Sequence, residues 1–258
     1  VREAWLDEGI NAFFDMEIME KFSQNSKSHI NWILFGVSID QYYRWKYLSL
    51  QSPDPVNQYS WKFVNQASFR GNAIYKSGVL LRSLGNHVGR KKMIGFFKFY
   101  AKRFKIKHPT TIDFINAFNQ FFNVDYSWAF DQFINDKLSL DQSVFLIEST
   151  KINRNPAKYR NEIICMRREG YFPVEILIKL KDGKEIKYYW NERENWKKII
   201  LENDSPLDHV IIDPQNKIPL DKNRFNNSKS IKTSKKRLKN MAVKLGLYFQ
   251  NLLSLVFL

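Results

Sequence analysis

The stretch Trp5-Leu6-Asp7-Glu8-Gly9-Ile10-Asn11-Ala12-Phe13-Phe14-Asp15 holds the most informative chemistry in this sequence. Wound as an α-helix, it places Glu8, Asn11 or Ala12, and Asp15 on one face, because residues three, four and seven apart align. Two carboxylates on an otherwise apolar helix are costly to bury unless a cation or hydrogen-bond donors meet them. The pair is therefore either a ligand face for a cation or a solvated face, and spacing alone favours the solvated one. A second candidate, Tyr75, lies in Ala73-Ile74-Tyr75-Lys76-Ser77-Gly78, where Ile74 and Val79 give it the surroundings of a core tyrosine. The four histidines, His29, His87, His108 and His209, are scattered, and none has a second His four residues away. The paired-histidine H-E-x-x-H pattern of a zinc helix is thus absent from the chain. Cys165, the single cysteine, sits among Ile163, Ile164 and Met166 and reads as an inert packed thiol.

The same words carry a family resemblance. Trp5-Leu6-Asp7-Glu8-Gly9, followed by Phe13-Phe14, resembles the third-ligand helix of the aminopeptidase-N-like (gluzincin) zinc metallopeptidases. In that family two histidines of an H-E-x-x-H helix and the Glu of a W-L-x-E-G helix hold Zn²⁺, leaving one position open for water. The resemblance implies that Glu8 is the carboxylate ligand. It also implies that Asp15, where the family more often has Glu, holds a ligand histidine in place. The Tyr75 stretch resembles the family's Tyr-x-x-Gly segment, which implies that Tyr75 donates a hydrogen bond to the oxyanion of the tetrahedral intermediate. The family's usual Glu-Lys between Tyr and Gly is Lys76-Ser77 here.

Further matches follow in family order: Gly78-Val79-Leu80-Leu81, His108-Pro109-Thr110-Thr111 and Trp128-Ala129-Phe130-Asp131-Gln132-Phe133. The resemblance therefore covers about residues 1–136. Pro173-Val174-Glu175-Ile176 and Val210-Ile211-Ile212-Asp213-Pro214 resemble the small β-sandwich that follows in many members, with Asp213 and Asp221 as turn residues. The implied activity is zinc-dependent hydrolysis of a peptide substrate. The chain lacks an initiator Met, and both ends break off inside a pattern, so a fragment of a longer protein is expected. The H-E-x-x-H would lie just upstream of Val1, and the printed chain alone would be inactive.

The elements that must position these residues are α+β. Helices are expected over Val1–Phe22, His29–Leu50, Trp61–Leu84 and Arg90–Phe104, and in a fifth run carrying Ile112, Ile115, Phe118 and Phe122. A short sixth helix holds Trp128 and Phe133. Thr110 and Asp113 have the spacing of a capping box, and Gly85–Gly89 reads as a turn. After about residue 157 the period changes to that of strands. Five are expected, Tyr159–Arg167, Val174–Leu180, Glu185–Trp190, Trp196–Ile200 and His209–Ile212, with a hairpin turn at Lys181–Lys184. The division is then a helical half of a thermolysin-like catalytic domain at 1–150, a β-sandwich at 158–222, and a basic linker with an apolar helix at 223–258.

The formal net charge of +15 raises the question of a nucleic-acid partner. Much of the charge is local, since Lys222 to Lys244 holds nine Lys or Arg and no Asp or Glu. No helix-turn-helix, zinc-finger or RNA-binding aromatic pattern accompanies it, so nucleic acid is not the expected partner. Basic residues beside the apolar run Leu245–Leu258 suit an anionic membrane surface, although fourteen residues fall short of a span. Two other readings stay open: a non-catalytic relative serving as an interaction or membrane-scaffold module, and a basic nucleic-acid binder.

Overall fold

Helix α1 (Trp5–Ser23) buries Trp5, Gly9, Ala12, Phe13 and Met16, a stripe at helical spacing. At 100° per residue Ile18 and Phe22 fall on the opposite side of that stripe. They are 48% and 77% exposed. The computed structural model describes residues 3–23, 30–32, 35–50 and 53–231. The Trp5 indole N–H donates to Thr111 Oγ1 at 2.9 Å, tying the start of α1 to a helix more than a hundred residues away.

The helix expected from His29 starts later. A short antiparallel pair, β1 (Ile30–Trp32) and β2 (Phe35–Val37), precedes α2 (Ile39–Ser49). Ser38 and Gln41 form a capping box that fixes the start of α2, a Ser-x-x-Gln signal the helical reading of this stretch passed over. The expected helix over Trp61–Leu84 is also subdivided. A 3₁₀ turn (Ser60–Lys62) and α3 (Gln66–Phe69) lead into a π-helical segment, Arg70–Lys76, which runs on as α4 (Ser77–Val88). Gly85 does not turn the chain; it lies inside α4, where Phe13 and Met93 crowd the space a side chain would need. Gly89, at φ 98°, stops the helix. Then come α5 (Arg90–Arg103) and α6 (Thr111–Phe122), whose Thr110–Asp113 capping box forms as expected. Ile112, assigned to the apolar stripe of α6, is 70% exposed. The buried stripe is Thr111, Phe114, Ile115 and Phe118, and Phe96 of α5 packs on Phe114 and Phe118. Helix α7 (Ser127–Phe130) continues into a π-helical turn, Asp131–Asn135.

The two larger sheets begin at Asp141, well before residue 157, and inside the span assigned to the helical domain. β3 (Asp141–Arg154) and β4 (Ala157–Glu169) form a long antiparallel ribbon to which β7 (Trp196–Asn203) adds. The second sheet has the order β6-β5-β8-β9, from β5 (Val174–Leu180), β6 (Glu185–Trp190), β8 (Leu207–Ile212) and β9 (Ser228–Ser230). β3 escapes a period-two reading because its first four residues are all buried and three register shifts interrupt its pairing. β5 alternates cleanly, burying Val174, Ile176, Ile178 and Leu180. Ile163 and Cys165 of β4 join the same core as the helical aromatics. Desolvation pushes the Cys165 thiol up to about 12, which leaves it a packed, unreactive group.

The expected linker from residue 223 is folded as far as Ile231, since Arg224–Asn226 is a 3₁₀ turn and β9 pairs with β8. The apolar helix at Met241–Leu258 lies outside the described residues. Among the described residues no helix is long and apolar enough to cross a membrane.

Helices and sheets are strapped together by the segment 217–222. Asn86 Nδ2 donates to Lys217 O at 2.7 Å, and the Leu220 N–H donates to Ser83 Oγ at 3.2 Å. Arg44 donates to the carbonyls of Asp221 and Lys222, each at 3.0 Å. Asp213 and Asp221 are turn residues here. Asp213 accepts the Lys217 and Ile218 N–H groups, and Asp221 Oδ1 accepts the Asn223 N–H. Burial pushes the Asp221 carboxyl up to about 6. The folded state therefore holds this proton more tightly than the unfolded chain, where the group titrates near ~3.9. Its contribution to stability is complete below that pH and is lost as pH rises through about 6. Asp221→Asn should then exceed the wild type in stability by roughly 3 kcal/mol at neutral pH, the gap closing toward pH ~4. The buried Asn227 Oδ1, which has no donor, can turn to accept the new amide. Urea unfolding at both pH values checks this; a gap that does not change with pH would refute it.

Candidate functional site

Glu8 and Asp15 lie along one border of the buried stripe of α1, Glu8 half-buried and Asp15 exposed. What α1 packs against is the π-helical segment and the first turns of α4. The approach is close. A Cβ on Gly9 would sit 2.5 Å from Ser77 Oγ, and one on Gly78 would sit 2.7 Å from Ala12 Cβ. The same segment carries Tyr75, so the two candidate words of the sequence are brought together by direct helix contact.

Tyr75 does not face a purely apolar core. It is half-buried, its ring meets that of Tyr43 edge-on at 5.5 Å, and the Tyr42 phenol lies near enough to act on its ionisation. The Tyr43 hydroxyl in turn donates to Asp15 Oδ2 at 3.1 Å. Asp15, Tyr43, Tyr75 and Tyr42 thus gather in one row between α1, α2 and the π-helical segment, with the Tyr43–Asp15 hydrogen bond at one end. Burial raises the Tyr75 phenol, with Tyr42 adding to the effect. Burial raises the Tyr43 phenol further, with the Asp15 charge second. Both therefore stay protonated across the neutral range and serve as O–H donors. Among the described residues no side chain hydrogen-bonds the Glu8 carboxylate, and no hydrogen bond joins Glu8 to Tyr75 or Asp15.

The histidines do not gather at this site. His87 packs edge-on against Tyr126 and Phe172, and burial lowers its pKa, so it is a neutral, half-buried imidazole. His209 Nδ1 meets Asp208 at 2.8 Å in β8. His108 is exposed beside Pro109, and His29 lies outside the described residues. Among the described residues no group of three His, Cys, Asp or Glu could hold a metal ion.

On the other border of α1, sequence reading missed a charge cluster. Arg82 of α4, 2% exposed, pairs with Glu17, Glu20 and Asp40, and Arg90 reaches Glu17 and Glu20 at 2.8 Å. Tyr42 and Tyr43 were missed as well, although Tyr43 and Tyr47, four residues apart and both buried, mark the inward face of α2.

No protein-family model matches the chain, and no curated protein matches it. Forty-nine chains of solved structures do. One is aminopeptidase A of Legionella pneumophila in complex with aspartic acid. It matches with a TM-score of 0.52 and 14% identity, over 85% of this chain and 24% of that one. At that identity the likeness is one of fold, and this chain spans about a quarter of the length of that aminopeptidase.

If the seating of α1 on α4 fixes the site, Gly78→Val should lower the unfolding free energy by about 1–3 kcal/mol, the cost of overpacking a close contact. A urea midpoint equal to that of the wild type would show that the contact tolerates a larger side chain.

Proposed function

We propose that this chain is the helical part, with its following sheets, of an aminopeptidase-type zinc metallopeptidase. In the intact protein Glu8 supplies the carboxylate ligand and Tyr75 the donor to the oxyanion. The supporting observation is the packing of the Glu8 helix directly on the segment that carries Tyr75, within a fold shared with an aminopeptidase. The described residues offer zinc a single carboxylate with no imidazole beside it, and do not form a metal site by themselves. The zinc dependence we propose requires histidine ligands from outside them. Asp15, with Oδ2 taken by Tyr43, keeps Oδ1 for the N–H of such a histidine.

The part this chain plays in a peptide hydrolysis follows from its own groups. As a peptide carbonyl becomes tetrahedral, negative charge collects on its oxygen, and a fixed donor there lowers the barrier. The Tyr75 phenol is protonated and half-buried, with its ring held edge-on by Tyr43, so it is placed to act as the O–H donor.

Two measurements on the intact protein test the assignment. Glu8→Ala should abolish stoichiometric zinc, and retained zinc in that variant would show that another residue is the ligand. Tyr75→Phe should leave zinc in place and lower kcat by roughly 10²–10³-fold. An unchanged kcat would return Tyr75 to the role of a core tyrosine.

A further inference from the structure

Tyr75 and Lys76 are adjacent in the chain, yet they serve different surroundings. Tyr75 turns toward Tyr42 and Tyr43, while Lys76 lines a cavity of about 270 Å³ between the π-helical segment and the start of the sheet region. Lys76 is only 4% exposed. Among the described residues none accepts a hydrogen bond from its ammonium group. Desolvation lowers its pKa to about 8 in spite of the nearby Glu169 carboxylate.

Glu169 is already engaged. Its Oε1 accepts the Ser139 N–H at 2.6 Å, and its Oε2 takes the Lys222 ammonium. These partners, together with Lys76, hold its carboxyl below the usual range against the upward push of burial. Lys137 lines the same cavity from its exposed rim. Three ammonium groups thus surround one carboxylate that is itself paired. A largely buried ammonium with no protein acceptor favours either losing its proton or gaining a counter-ion. One water takes about 30 Å³, so the volume accommodates a phosphate-sized group with several waters.

The geometry points to an oxyanion-binding site: the cavity takes the phosphate or carboxylate group of a small molecule, with Lys76 as its buried anchor and Lys137 and Lys222 completing the positive lining. The site is separate from the Glu8–Tyr75 assignment and stands or falls without it.

The test uses inorganic phosphate and acetate, each against chloride at matched ionic strength. The acetylation rate of Lys76 at pH ~8, where a lysine of this pKa is half neutral, is read by peptide mass spectrometry. One of the two oxyanions should slow labelling of Lys76 by about tenfold or more, the scale of a charge-assisted hydrogen bond, with the lysines outside the cavity unaffected. A stronger effect of phosphate identifies a tetrahedral oxyanion, and a stronger effect of acetate a carboxylate. By calorimetry Lys76→Met should weaken the preferred anion at least tenfold, and Lys137→Ala, a rim change that does not disturb the core, about threefold. Equal labelling of Lys76 in phosphate, acetate and chloride overturns the proposal even if the Lys76 variant does not fold. So does full affinity in a folded Lys76→Met.

Discussion

The Glu8–Tyr75 assignment depends on how closely α1 can approach the rod formed by the π-helical segment and α4. Two missing side chains set that distance, Gly9 against Ser77 and Gly78 against Ala12. Small residues at a helix crossing let the backbones come together, and the larger neighbours Trp5, Phe13 and Met16 then fill the space on either side. The consequence reaches past packing. Glu8 and Asp15 border the buried stripe of α1, so whatever fixes α1 also fixes where these carboxylates lie relative to Tyr75. A bulkier crossing would move both carboxylates away from the tyrosine row without altering either residue.

The charges at that crossing are handled in two different ways. On one border of α1, Arg82 is buried but surrounded by Glu17, Glu20 and Asp40, and Arg90 shares the same carboxylates. A planar guanidinium with several donors suits such a fork, and deleting one member would strand a buried charge. That cluster locks the rotation of α1 about its axis, which spacing residues alone cannot do. On the other side of the rod Lys76 is as deeply buried as Arg82, yet the nearest carboxylate, Glu169, is engaged by Lys222 and by a backbone N–H. One cation is neutralised within the fold. The other is left to face a cavity.

The sequence made some of this legible and hid the rest for physical reasons. β5 and β6 have the bounds expected from alternation, because each is a short strand with Gly183 at positive φ between them. The capping box at Thr110 was visible because it is local. β3 was not, since its buried start and its register shifts erase the period of two. The π-helical segment was read as ordinary helix, because the wider winding leaves no mark in composition. The Glu17–Arg82 pair was hidden for the opposite reason, being 65 residues apart in the chain. The charges of a buried network look solvated until the partner helix is placed beside them.

The π-helical winding explains why one short segment can serve two sites. Opening the helix by a residue shifts the rotational register between the side chains before it and those after it. Gly71 makes room for this, since a Cβ there would lie 2.1 Å from the Leu50 carbonyl oxygen, so the segment presses against the end of α2. That contact brings α2, and with it Tyr42 and Tyr43, alongside Tyr75. It also sets Gly71, Asn72 and Lys76 along the cavity that Ser139 and Glu169 close from the sheet side. A regular α-helix pressed on α2 with the same residues would not hold both arrangements. The irregular winding is thus a condition for the tyrosine row and the lysine cavity to coexist, and a local change that restores regular helix would be felt at both.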